Sequence, residues 1–150
     1  MTPSKNSLYD LGYIGCNLSD LKAAVKATGA TLLDIRFSPF SRNPTWNKNN
    51  LVKVFGEQYV HCRSLGNENY HVPGMENVKF VDLEKGIIMI CGLLQKGPVI
   101  VMCACKDVNH CHRLLAVLEY EKRTGQASTH LGPGDLKRLA GIREEIQLTF

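Results

Sequence analysis

No apolar run in this sequence is long enough to cross a bilayer. The longest, around Ile87–Leu94 and Val99–Cys105, fall well short of the about 20 residues that a membrane helix needs. The opening stretch, MTPSKNSLYDLGYIG, lacks the uninterrupted apolar core of a secretory signal. No Walker loop and no dinucleotide glycine fingerprint is present, which argues against ordinary nucleotide hydrolysis and nicotinamide chemistry. A phosphatase- or rhodanese-type cysteine loop would place an arginine six positions after its nucleophile, but six after Cys105 stands Cys111. Internal repeats and low-complexity segments are also missing. These absences leave a globular protein expected in the cytoplasm, with no membrane partner.

At 150 residues the chain is expected to form one domain, 1–150, burying roughly 70% of the surface its unfolded form exposes. Its 44% hydrophobic and 21% charged fractions are ordinary for such a domain. The net charge of +4, from 18 basic and 14 acidic residues, permits an anionic partner without demanding nucleic acid. In the cytoplasm the six cysteines (16, 62, 91, 103, 105 and 111) should be mostly reduced thiols and not a disulfide framework. Cys91 lies in an apolar helical pattern and reads as core.

The most informative stretch is Gly97–Arg123, GPVIVMCACKDVNHCHRLLAVLEYEKR. After the Gly97-Pro98 turn signal, Val99–Ala104 is wholly apolar, as a central strand covered on both faces would be. A polar loop, Lys106–His110, then leads to Cys111, His112 and Arg113. Beyond them Leu114, Leu115, Val117 and Leu118 predict an apolar helix face. Two cysteines, a histidine and an arginine thus fall between a strand's carboxyl end and a helix's amino end, where open α/β sheets bind ligands.

Upstream, Leu8–Ile14 reads as a strand, and Asn17 or Ser19 caps a helix with Leu18, Leu21, Ala24, Val25 and Thr28 on one face and Gly29 as its stop. Thr31–Arg36 is a second strand. Phe37–Trp46 is a loop, followed by a short helix carrying Leu51, Val52 and Phe55. Gln58–Cys62 is a third strand and Arg63–Glu76 a loop. Phe80–Leu94 reads as an amphipathic helix that Gly86 and Gly92 weaken. Ala127–Leu131 is a fifth strand, Leu136–Glu145 a final helix capped by Asp135, and Ile146–Phe150 a tail. This alternation predicts a three-layer α/β domain with a mostly parallel sheet of about five strands flanked by helices.

Four readings of the site stay open. Arg36, Arg113 and loop N–H groups suit a phosphate-bearing or otherwise anionic ligand, such as a nucleotide or a nucleic-acid end. Cys111, at a helix N-terminus beside His112, suits a thiolate nucleophile, and Cys103 suits a partner in catalysis or in a reversible disulfide. Cys103, Cys105, Cys111 and His112 offer metal ligands, although adjacent Cys111 and His112 should struggle to reach one ion and C-x-C is not the usual knuckle. In the fourth reading two buried cysteines simply flank a turn while Arg113 pairs with a core acid such as Asp34. No cofactor or resident metal is expected, and nothing decides between enzyme and binding protein. Trp46, His61 and His71 read as structural.

These motifs resemble those of a known family. Leu11–Gly15 is similar to its opening "TIGYS", Leu33–Arg36 to "VDVR", Ser41–Leu51 to "SRNPxFNKxxL", and Tyr59–His61 with Leu65-Gly66 to "YVHxxxLG". Cys103, separated by seven residues from Cys111-His112-Arg113, resembles its cysteine signature. The chain is thereby identified as resembling the domain-of-unknown-function 488 family over a core of about 8–131, leaving 132–150 as a C-terminal extension. The resemblance implies an α/β domain with one composite site built from Asp34, Arg36, Arg42, Asn43, Cys103, Cys111, His112 and Arg113, and no established activity. Cys105 stands where the family usually has glutamate, and the segment between Leu65 and Phe80 is shorter than usual.

Overall fold

The computed structural model describes residues 6–105 and 107–148; residues 1–5, Lys106, Thr149 and Phe150, which include parts of the polar loop and tail read above, lie outside the described residues. Five strands, β1 (Leu8–Gly12), β2 (Thr31–Asp34), β3 (Tyr59–His61), β4 (Val99–Cys103) and β5 (Ser128–Leu131), form one sheet in the order β3-β2-β4-β1-β5. Every pairing is parallel, so the sheet is fully parallel where the sequence predicted a mostly parallel one. Helices α1 (Leu18–Thr28), α2 (Lys48–Phe55), α3 (Leu83–Leu94), α4 (His112–Thr124) and α5 (Asp135–Leu148) complete an α/β fold.

The period of two along β4 sorts its side chains into two cores. Val99, Val101 and Cys103 pack with Ile87, Ile90 and Leu94 of α3 and Ala116, Val117 and Tyr120 of α4. Ile100 and Met102 pack with Leu21 and Val25 of α1, Leu51 and Phe55 of α2, and Leu136 of α5. Helices thus cover both faces, which is why β4 has no polar position. From β1 the chain turns through α1 toward β2; from β4 it turns through α4 toward β5 on the other side of β1. The loops therefore part at the carboxyl ends of these strands, opening the crevice expected at such a switch point. Among the described residues no helix is long and apolar enough to cross a membrane.

Several boundaries differ from expectation. The predicted helix at Phe80 starts at Leu83, because Asp82 caps it by accepting from the Lys85 N–H and Phe80 instead makes an antiparallel bridge with Asn67. Helix α5 continues through the predicted tail to Leu148. On α4 the buried stripe is Arg113, Ala116, Val117 and Tyr120, and Leu118 is 47% exposed. The stripe is rotated because its first member is a charged residue that sequence reading placed facing a ligand. Val52 of α2 likewise faces outward.

The two glycines of α3 have opposite roles. A Cβ on Gly86 would come within 2.3 Å of buried Leu65, whereas one on Gly92 would meet nothing within 4 Å. Gly92→Ala should therefore raise unfolding free energy by about 0.5–1 kcal/mol through helix propensity, and Gly86→Ala should lower it by about 1–3 kcal/mol through overpacking. Urea denaturation of both variants checks this; equal signs would refute the packing role of Gly86.

Candidate functional site

The loops after β1, β2 and β4 meet at the sheet's carboxyl edge. Tyr13 N–H donates to the Cys103 carbonyl (2.9 Å) and Ile14 N–H to that of Ala104 (3.3 Å), so the segment beyond β4 stays beside the end of β1. Ile35 N–H donates to the Met102 carbonyl on the other side. A single 3-10 turn, Val108–His110, starts where Asp107 accepts from the Asn109 N–H, and it returns the chain to Cys111. Cys111 is the N-cap of α4 in extended conformation (φ −128°, ψ 140°), and His112 is the first helical residue.

That helix start is anchored from below. Arg113 is 2% exposed; its Nε donates to Asp10 Oδ1 (2.8 Å), and its Nη1 to the Cys105 carbonyl (2.5 Å) and to Cys103 Sγ (3.3 Å). Asp10 is itself fully buried on β1 and also pairs through Oδ2 with His130 Nδ1 of β5. Burial alone would loosen the Arg113 proton, but its contacts with the Cys103 sulfur and with Asp10 outweigh this, and the guanidinium stays charged. Room for this arrangement comes from Gly12, opposite Cys103 in register: a Cβ there would lie 1.5 Å from the Cys105 carbonyl oxygen and 2.9 Å from Arg113 Nη1. Arg113 thus pairs with Asp10 and not with Asp34, the acid that sequence reading offered it.

Asp34 serves a second buried network. It accepts from Arg36 Nε (2.9 Å), Arg36 Nη2 (2.6 Å) and the Tyr59 hydroxyl (2.6 Å). Burial first, and then the Asp34 charge, push the Tyr59 hydroxyl far above the ordinary phenol range, so it remains a donor. Arg36 Nη1 reaches the Tyr13 hydroxyl (3.4 Å), with the guanidinium over the Tyr13 ring, and Tyr13 stacks on buried Trp46 at 4.6 Å. Trp46 is therefore packing. His61, read as structural, is half-buried and donates from Nε2 to the Arg36 carbonyl.

Between these networks lie three sulfurs and an imidazole. Cys103 and Cys111 are buried, with their sulfurs 2.6 Å apart, and no disulfide joins any of the six cysteines. His112 Nε2 lies 3.0 Å from the Ile35 carbonyl. A carbonyl only accepts, so Nε2 carries the proton and Nδ1 turns its lone pair toward Cys111 Sγ, 3.9 Å away. Burial keeps this ring below the usual histidine range, in its neutral form. The neighbouring Cys103 and Cys111 thiols hold the exposed Cys105 well below the ordinary thiol range, against its own desolvation. Those same contacts raise Cys103. In Cys111 the hydrogen bond with Cys103 acts downward, but Cys105, burial and Cys105's charge prevail and push it up to about 11. The directions thus favour the exposed Cys105 over Cys111 as a thiolate, whereas sequence reading offered Cys111 for that role.

The cluster lies in the wall of a crevice of about 490 Å³, with Tyr13, Arg36, Phe37, Phe40, Tyr70, Met75 and His110 among the other lining residues. Of the residues singled out from sequence, Arg36, Cys103, Cys111 and His112 line it, while Asp34 and Arg113 sit buried behind them. Arg42 and Asn43 do not line it; they lie on an exposed turn where Asn43 caps Pro44–Trp46 through the Thr45 N–H. Sequence reasoning missed Asp10, Gly12 and Tyr59, whose partners are distant in the chain, and the ring pair Phe37–Tyr70 at 5.7 Å. A buried acid in the apolar β1 pattern was the signal available for Asp10.

The sequence profile of one family, described as "Domain of unknown function DUF488", matches residues 21–118, about two thirds of the chain. The matched span includes β2 through most of α4 and omits β1 and β5, so it is narrower than the resemblance over 8–131. No curated protein and no solved structure matches.

The Asp10–Arg113 pair yields a double-mutant test. Asp10→Ala strands a buried guanidinium and should cost about 3–5 kcal/mol, whereas combining it with Arg113→Met should recover most of that loss. Urea unfolding of both single variants, the double variant and the wild type measures the difference; an additive double mutant would show that the pair does not anchor α4.

Proposed function

The chain belongs to the DUF488 family, which brings no established activity with it, and we propose that its crevice binds an aromatic ligand carrying a phosphate or other anionic group, a nucleotide or a nucleic-acid end. The observation that carries this reading is the joining of two recesses. Phe40, 74% exposed, borders both the aromatic crevice and a neighbouring groove of about 630 Å³ lined by Lys48, Lys53, His61 and Arg63. No carboxylate is among the described residues that line that groove. A planar base suits the exposed Phe40 ring beside the Phe37–Tyr70 stack, and its phosphate suits the cationic side.

This moves the anion site from where sequence reasoning put it. Arg36 is clamped by Asp34 on two nitrogens, and Arg113 is buried against Asp10, so each cation already faces a carboxylate. Arg113 then acts by positioning Cys103 and the loop after β4. Arg36 contributes its edge to the crevice wall, and Arg42 and Asn43 stand beside Pro44, which lines the groove. A reducing intracellular setting suits the thiol-lined wall.

A second reading, a thiol-dependent enzyme, is favoured by one observation: an exposed cysteine, Cys105, lines the same crevice as the buried pair Cys103 and Cys111. The attacking sulfur would then be Cys105, with Cys103 and Cys111 able to form a disulfide behind it. Brief alkylation of the native protein followed by peptide mass mapping should label Cys105 before Cys103 or Cys111. Labelling of Cys111 first would reverse that assignment.

For the binding reading, adenosine monophosphate and a short single-stranded oligonucleotide are titrated calorimetrically into wild type and into Lys53→Glu/Arg63→Glu, two exposed positions. Binding should weaken at least about tenfold in the variant, with unchanged thermal stability, and should weaken with added salt. Equal affinity in both proteins, or no binding of either probe, would reject it.

A further inference from the structure

We infer that Cys103, Cys111 and His112 are the ligands of a thiophilic divalent metal ion such as zinc, with Cys105, which stands outside that cluster on the crevice wall, turning in as the fourth donor. The inference is independent of what the crevice binds. The ligand atoms of the three residues all lie within 4.8 Å of one another, close enough for one ion to reach each of them. All three come from the ends of regular elements, Cys103 from the last position of β4 and Cys111 and His112 from the first turn of α4. Such positions hold a first coordination shell more firmly than a free loop does.

Neighbouring residues Cys111 and His112 were the objection to this reading, because consecutive side chains usually diverge. Here the backbone changes direction between them: Cys111 is extended and His112 helical, so Sγ and Nδ1 lie on the same side, 3.9 Å apart. The second shell has the form a metal site requires. The Ile35 carbonyl takes the Nε2 proton of His112, fixing the tautomer that leaves Nδ1 as a ligand. Arg113 Nη1 donates to Cys103 Sγ and would meet the one net negative charge that three thiolates leave around a divalent ion.

A simple disulfide accounts for less of this. It would use the Cys103 and Cys111 sulfurs but give no role to the oriented Nδ1 of His112 or to Cys105. At 2.6 Å the two sulfurs are farther apart than the about 2.05 Å of a disulfide. They are also closer than the about 3.8 Å that two tetrahedral zinc–sulfur bonds imply, so loading the site would part them.

The test uses the full chain purified under reducing conditions, with zinc measured by mass spectrometry and the metal-free protein titrated with cobalt(II). One equivalent of metal, and cobalt spectra with intense thiolate-to-metal charge-transfer bands of a tetrahedral site, are expected. Cys111→Ser and His112→Ala should lose the bands or weaken cobalt binding at least a hundredfold. Cys105→Ser should keep a tetrahedral spectrum with weaker charge transfer and a smaller loss of affinity. Because a variant may fail to fold, circular dichroism accompanies each, and the wild-type cobalt spectrum stands by itself. Substoichiometric cobalt with no charge-transfer band in folded wild type would overturn the inference. So would a mass lower by two hydrogens with Cys103 and Cys111 joined after purification in the presence of zinc.

Discussion

The buried ion pair between Asp10 and Arg113 is the constraint on which the site depends. A carboxylate with no exposed surface, in the second strand from the sheet's edge, is tolerable only with a fully satisfied partner. Arg113 supplies that partner across 103 residues of sequence. In doing so it fixes the first turn of α4, takes the Cys105 carbonyl and reaches the Cys103 sulfur. Gly12 makes the approach possible by having no side chain. One charged pair therefore ties β1, the end of β4 and the start of α4 together, and the sulfurs take their positions from it.

A parallel network organises the other wall. Asp34, Arg36 and Tyr59 satisfy one another beneath the crevice, and Tyr13 extends the network to the stack with Trp46. Neither network is arranged as a free cationic clamp. Each buried arginine is matched to a buried aspartate, whereas Lys48, Lys53 and Arg63 line the outer groove, which has no carboxylate among its described lining residues. The inner crevice is consequently a place of sulfur, imidazole and aromatic rings, and the outer groove a place of positive charge.

Much of this architecture was legible. The wholly apolar Val99–Ala104 could belong only to a segment covered on both sides, and alternating strand and helix patterns implied parallel crossovers. The strand end at Cys103 and the helix start at Cys111–Arg113 were placed correctly because turn residues bracket them. The adjacency of β2 and β4, on which the position of Arg36 beside the cysteines rests, was not legible, since strand order is not encoded in local pattern. The carboxylate partners of the two arginines differ in the same respect. Arg36 has its carboxylate two residues away, and Arg113 has one that no local window reveals.

The sequence by itself determined the elements, because hydrophobic period and turn chemistry act over a few residues. It also set the inventory of reactive groups: three cysteines, a histidine and two arginines around strand ends and one helix start. Tertiary structure alone decided which of these groups face one another. Charge neutralisation in a low-dielectric interior depends on contacts across the sheet, so it took the folded chain to bury Arg113 against Asp10, turn His112 Nδ1 toward the sulfurs and leave Cys105 as the one exposed thiol of the cluster.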